Sequence, residues 1–172
     1  MFTRQKSSLS QTAGASFSAA VLYARKNSIY KQYENLDVYD IDRDAYNFNA
    51  SCPVIAHPPC RLWGKLRTFS KAPLIEKYTA LHAVTVIQQN GGVLEHPAFS
   101  TLWQAANLPQ PGATDKYDGF TLPILQSWFG HKAPKSTWLY IVGIKPTQLE
   151  PIPFELGIPP GRISKTGSMV VS

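Results

Sequence analysis

Cysteine is scarce in this chain: only Cys52 and Cys60 are present. Two cysteines make no disulfide framework, and at 172 residues the chain is long enough to bury a sizeable core without one. A reducing, cytoplasmic compartment is therefore expected. Long apolar runs are also missing. None approaches the roughly 20 residues that cross a bilayer, so no membrane association is expected. Acid is absent from the first 33 residues, as it is from organelle transit peptides. The apolar stretch Ala19–Ala24 nevertheless reads as a core strand, which cleavage of such a leader would remove. No internal repeat is evident.

What is present is the composition of one ordinary globular domain, 44% hydrophobic and 16% charged. The formal charge of +6 and pI near 9.4 point to a polyanionic partner, nucleic acid or nucleotide. The cations fall in three clusters, each after an expected strand: Arg25, Lys26 and Lys31; Arg61, Lys65, Arg67 and Lys71; His131, Lys132 and Lys135.

Residues 1–15 are polar and aperiodic, a mobile arm. Ala19–Ala24 is a central strand buried on both faces. Asp37–Asp42 alternates as a second strand, and Pro53–Ala56 is a third that enters the Pro58-Pro59 turn. Leu74, Tyr78, Leu81 and Val84 mark a helix over Ala72–Asn90, stopped by Gly91-Gly92. Gly92–Glu95 is a fourth strand that Pro97 ends, and Ser100–Asn107 a short helix. Phe120–Phe129 and Thr137–Ile144 form a late hairpin. Residues 16–145 thus read as an α/β domain, Rossmann-like, with a mostly parallel sheet and an antiparallel edge hairpin. Residues 146–172 are a Pro-rich tail that wraps the surface or is partly disordered.

In such sheets ligands bind beyond the carboxyl ends of the strands. The rule gathers the loops that hold Arg25–Lys31, Asp40–Asp44, His57–Arg67, Glu95–Pro97 and His131–Ser136. Cys60 follows a rigid Pro-Pro turn and precedes Arg61, a setting that favours the nucleophilic thiolate; the blander reading is a small buried apolar residue. Glu95, at the end of a buried strand, needs a partner or a task. Arg61 or Arg67 would be a structural partner. Phe129-Gly130-His131, leading to Lys135, supplies basic groups or is simply a solvated turn.

The order Pro58-Pro59-Cys60, Glu95-His96-Pro97, then Phe129-Gly130-His131 and Lys135, resembles that of small phage and prophage proteins related to C5-cytosine DNA methyltransferases. The resemblance covers about residues 19–144. It implies a methyltransferase-like fold, a bacterial host cytoplasm, and S-adenosylmethionine as cofactor. It also implies Cys60 as the nucleophile at C6 of cytosine and Glu95 as the acid that holds and protonates N3. The substrate-binding set would be His57, Pro58, Pro59, Arg61, Trp63, Arg67, His96, His131 and Lys135. The cofactor set would be Arg25, Asn27, Ser28, Asp40 and Asp42, with either acid as the ribose ligand.

The chain departs from that pattern in two places. The first loop, Ala24-Arg25-Lys26-Asn27-Ser28-Ile29-Tyr30-Lys31, has no glycine to let the backbone approach the cofactor, and its three cations suit an anion better. Beyond the catalytic core there is no room for a large target-recognition region. The reading is a base-modifying transferase acting on a pyrimidine of DNA or a nucleotide. Two alternatives stay open. One is a non-catalytic nucleotide- or nucleic-acid-binding phage accessory protein, acting against host defence. The other is a zinc deaminase or hydrolase built on His57, Cys60, His96 and His131, which lacks the second cysteine of a Pro-Cys-x-x-Cys pair. No metal is expected.

Overall fold

The computed structural model describes residues 17–151, 161–163 and 169–171. The expected N-terminal arm lies outside them. The main sheet is built from β1 (Ala19–Leu22), β2 (Leu36–Val38), β3 (Val54–Ala56), β4 (Gly92–Pro97), β5 (Phe120–Leu125) and β6 (Ser136–Val142). Helix α1 (Ile75–Asn90) joins β3 to β4, and the short α2 (Thr101–Ala105) follows β4. The strand order is β2-β1-β3-β4-β6-β5. The first four strands are parallel, and β6 runs antiparallel to both β4 and β5. The fold is therefore α/β, with a mixed, mostly parallel sheet and an antiparallel edge. Short 3₁₀ turns at Ile29–Gln32 and Ala45–Asn47, rather than α-helices, occupy the connections around β2.

The order places the candidate site. From β1 the chain goes outward to β2, then returns past β1 to build β3 and β4 on its other side. The loops after β1 and β3 therefore diverge and leave a crevice between them at the carboxyl edge. Ala20, Val21 and Leu22 of β1 are all fully buried, in a strand hydrogen-bonded to neighbours on both sides.

Helix α1 covers one face of the sheet with a stripe of small side chains. Ala80, Ala83, Val84 and Ile87 are buried, whereas Leu74 and Tyr78 are 64% and 52% exposed. Of the apolar set that predicts the helix, only Val84 is buried and Leu81 packs partly against the core. Alanines let the helix lie close against β3, β4 and β6, and the larger residues of its first turn are left outside. The helix starts at Ile75, after Pro73, and ends where Gly91 adopts φ 77°.

The second strand is shorter than its alternating pattern predicts. It ends at Val38 because the Asp40 carboxylate accepts the main-chain N–H of Asp42 at 3.0 Å and of Arg43 at 3.2 Å, which turns the chain. Asp37 is buried and paired with Arg43, whose guanidinium lies 3.9 Å from the centre of the Tyr39 ring. The Pro-rich tail contains a structure that its composition hides: β7 (Gly161–Ile163) pairs antiparallel with β8 (Met169–Val171). No helix among the described residues is long and apolar enough to cross a membrane.

Two contacts give tests of this architecture. Gly92 has φ +127°, and a Cβ there would stand 2.0 Å from the Val54 carbonyl oxygen. Gly92→Ala should therefore lower stability by about 3 kcal/mol or more in urea unfolding. Gly112→Ala, with open space around it, should lose only about 1 kcal/mol through its backbone conformation. His96 is fully buried, its Nδ1 2.8 Å from Ser100 Oγ and its Nε2 without a partner among the described residues. Burial pushes its pKa down to about 4. The unfolded chain thus binds the extra proton between pH 6.5 and 4, and stability falls as pH drops through that window. His96→Leu should flatten the dependence, as read by denaturation midpoints at successive pH values.

Candidate functional site

The crevice between the β1 and β3 loops opens into a cleft of about 870 Å³. Its first wall is the loop after β1. Tyr23 leaves the strand with φ 61°, a left-handed conformation rarely taken by a bulky residue. Its hydroxyl lies 2.7 Å from His82 Nδ1 on α1, and the Tyr46 ring packs 4.3 Å from that imidazole. The loop then folds back, with Ser28 N–H donating to the Arg25 carbonyl at 2.9 Å. It presents Arg25, Asn27, Ser28 and Tyr30 to the cleft.

The second wall is His57–Arg61. His57 N–H donates to the Leu22 carbonyl at 3.1 Å, which extends the β1–β3 ladder by one residue. Pro58 and Pro59 then fix the backbone. The Cys60 carbonyl accepts from Trp63 N–H at 3.0 Å and Gly64 N–H at 2.9 Å. Trp63, only 2% exposed, anchors that turn in the core, with its indole N–H donating to the Lys77 carbonyl at 3.2 Å. Cys60 is half-buried with a free thiol.

Glu95 closes the floor. Ala56 pairs with Leu94, so the next residues, His57 and Glu95, meet side by side. Glu95 Oε2 is 2.8 Å from His57 Nδ1, and Oε1 accepts from Gln126 Nε2 at 2.7 Å and Lys135 Nζ at 3.4 Å. The hydrogen bond from His57, helped by the charge of Lys135, holds the Glu95 carboxyl down at about 2. With Glu95 ionised, His57 Nδ1 is the donor of that pair. In the neutral ring, Nε2 is left to accept from the Tyr30 hydroxyl at 3.2 Å, and the two rings stack 5.6 Å apart at 21°. In this arrangement Glu95 accepts hydrogen bonds and has no proton to give.

Several residues named from the sequence stand elsewhere. Trp63 is core and offers no stacking face to the cleft. Arg67, exposed, does not line the cleft and reaches the Gly64 carbonyl at 3.4 Å. His96 projects to the opposite face of β4 from Glu95, beneath α2, and is sealed in the core. Asp40 is buried and bound to Lys31, and Asp42 pairs with Lys26 at 2.8 Å on the surface. Neither acid lines the cleft. Arg61 does line it, but its guanidinium is held by Glu76 of α1 rather than by Glu95. His131 and Lys135 line the cleft from the β5–β6 hairpin, with His131 Nδ1 held by the Ala133 main chain.

Tyr23, Tyr30 and Gln126 belong to the cleft and are not singled out by sequence. Tyr30 sits among loop cations, and Gln126 directly follows a strand. Position relative to a strand end is the one signal that could have marked them. Among the described residues no group of three or more His, Cys, Asp or Glu is placed to hold a metal ion. The residues also do not fit S-adenosylmethionine. The loop after β1 has no glycine and is closed by its own Ser28–Arg25 hydrogen bond. Both acids that could take the ribose are committed, Asp40 to Lys31 and Asp42 to Lys26.

Comparison with protein-family models, with curated proteins and with solved structures yields no match.

The Glu95 contacts set a further pH window. A carboxyl held at about 2 in the folded state contributes stability that is complete above its ordinary value near 4.5 and is lost as pH falls toward 2. The contribution is on the order of 3 kcal/mol. Glu95→Gln should remove the loss between pH 4.5 and 2 and extend the His96 window to lower pH, because the Glu95 charge partly offsets the effect of burial on that imidazole.

Proposed function

We propose that this cleft binds a pyrimidine base and that the chain is a base-modifying transferase, Rossmann-like and methyltransferase-like in design. The observation that carries the reading is the meeting of Cys60 and Glu95 in one cleft at the reversal point of the sheet. These are the two residues that the C5-cytosine methyltransferase resemblance pairs as nucleophile and base-recognition acid.

The chemistry follows from the groups present. The Cys60 thiolate adds to C6 of the ring, and the electrons of the C5–C6 double bond move onto C5 and the ring beyond it. C5 becomes nucleophilic and takes the incoming group from an electrophilic donor, whose leaving group departs with the electrons of the broken bond. Loss of the C5 proton and expulsion of the thiolate restore the ring. Glu95, ionised, accepts from the exocyclic amine of cytosine, or from N3 once it carries a proton, in exchange for one of its present partners. Lys135 and Gln126 are donors for the carbonyl of the base. Pro58 and Pro59 keep the thiol in place. The loop after β1 does not suit S-adenosylmethionine as the donor.

A second reading is favoured by the Lys31–Asp40 pair. With the ribose-binding acid closed off, the cleft would hold a nucleotide or a nucleic-acid strand without transferring anything to it, as an accessory protein acting on host defence would.

Nucleoside mass spectrometry of DNA and of the nucleotide pool separates the two. Cells that express the wild type should contain a modified pyrimidine absent from cells that express Cys60→Ser. Identical profiles, with both proteins folded, would remove the transferase reading and leave the binding one.

A further inference from the structure

The departure from the cofactor pattern has a chemistry of its own. Of the three cations in the loop after β1, Lys31 is bound to the buried Asp40 and Lys26 pairs with Asp42 at 2.8 Å. Arg25 alone lines the cleft, exposed and without a side-chain partner among the described residues. The main-chain N–H groups of Arg25, Lys26 and Asn27 likewise have no protein acceptor among the described residues, and the side chains of Asn27 and Ser28 line the same wall. Successive unpaired N–H groups beside a guanidinium are the elements of an anion site.

The rest of the cleft has no free acid to repel an anion. Its one lining carboxylate, Glu95, is already met by His57, Gln126 and Lys135. The cleft therefore carries an unpaired guanidinium on its β1-loop wall and an internally neutralised carboxylate at Glu95, with Tyr23 and Tyr30 also on its walls. At about 870 Å³ it has the volume of a small-molecule site.

We propose that the loop Ala24–Tyr30 is a phosphate subsite, and that the substrate is a pyrimidine nucleoside monophosphate whose phosphate is held by Arg25 and the loop N–H groups. The base end of this assignment rests on the reading given under Proposed function; the phosphate end does not. The free cation accounts for the glycine-free loop. A bulky, charged loop that excludes the methionine arm of a cofactor is suited to a compact dianion.

Isothermal titration of the full-length protein tests it with five probes: deoxycytidine monophosphate, deoxycytidine, inorganic phosphate, S-adenosylmethionine and a short single-stranded oligodeoxynucleotide without a terminal phosphate. The monophosphate should bind at least about tenfold more tightly than the nucleoside, the scale of one charge-assisted contact. Inorganic phosphate should compete with it. Arg25→Ala, at an exposed position, should abolish phosphate binding and bring monophosphate and nucleoside together, with nucleoside affinity unchanged. Equal binding of monophosphate and nucleoside to the wild type would overturn the phosphate subsite while leaving the base reading intact. Phosphate binding that depends on Arg25 but gains nothing from the pyrimidine would keep the subsite and overturn the base reading. Binding of S-adenosylmethionine in competition with phosphate, or preference for the oligonucleotide over the monophosphate, would overturn the proposal.

Discussion

A carboxylate at the end of a buried strand must be met by donors, and Glu95 is met by three from different parts of the chain. His57 arrives from the loop after β3, Gln126 from the turn after β5, and Lys135 from the residue before β6. Each depends on the sheet order. The parallel β3–β4 register sets His57 beside Glu95. The insertion of β6 between β4 and β5 brings both ends of the hairpin turn over the same carboxylate. Gly92 sits at the other end of that register, where its missing Cβ lets β4 lie against Val54. The geometry of the cleft floor is thus a property of the whole sheet, and its cohesion is electrostatic where the helix–sheet packing is mainly apolar.

That arrangement also defines what the cleft offers a ligand. Some of the cations that draw attention in the sequence are met by acids of the protein itself: Lys26 by Asp42, Lys31 by Asp40, Arg61 by Glu76. Charge near a site is informative only after its internal partners are removed, and here Arg25 is what remains on the wall of the β1 loop.

Periodicity and turn residues are enough to place the central strands, the long helix and the late hairpin, whose first strand ends at Leu125 in a 3₁₀ turn and does not run on to Phe129. The convergence of the Cys60 loop with Glu95 followed from strand order. What was not legible depended on contacts between distant residues. The burial of Trp63 and His96 is set by α1 and α2 lying over one face of the sheet. The early end of β2 is set by Asp40 turning on its own backbone. The exposure of Leu74 and Tyr78 is set by the preference of the helix for its alanine stripe. Hydrophobic spacing alone cannot tell which of two apolar stripes packs inward. Nor could sequence show that Glu95 is held below the ordinary carboxylate range, since its three partners lie 31 to 40 positions away.

The hairpin turn carries a consequence for how such a cleft can change over evolution. Gln126 and Lys135 are tied to each other, main-chain N–H to carbonyl, at 3.0 Å, so the chain between them is a closed loop hung from a fixed clasp. Substitutions or insertions among residues 127–134 redraw the rim that a ligand passes while both donors to Glu95 stay where they are. Recognition at the mouth and electrostatics at the floor are therefore separable characters, free to be selected at different rates.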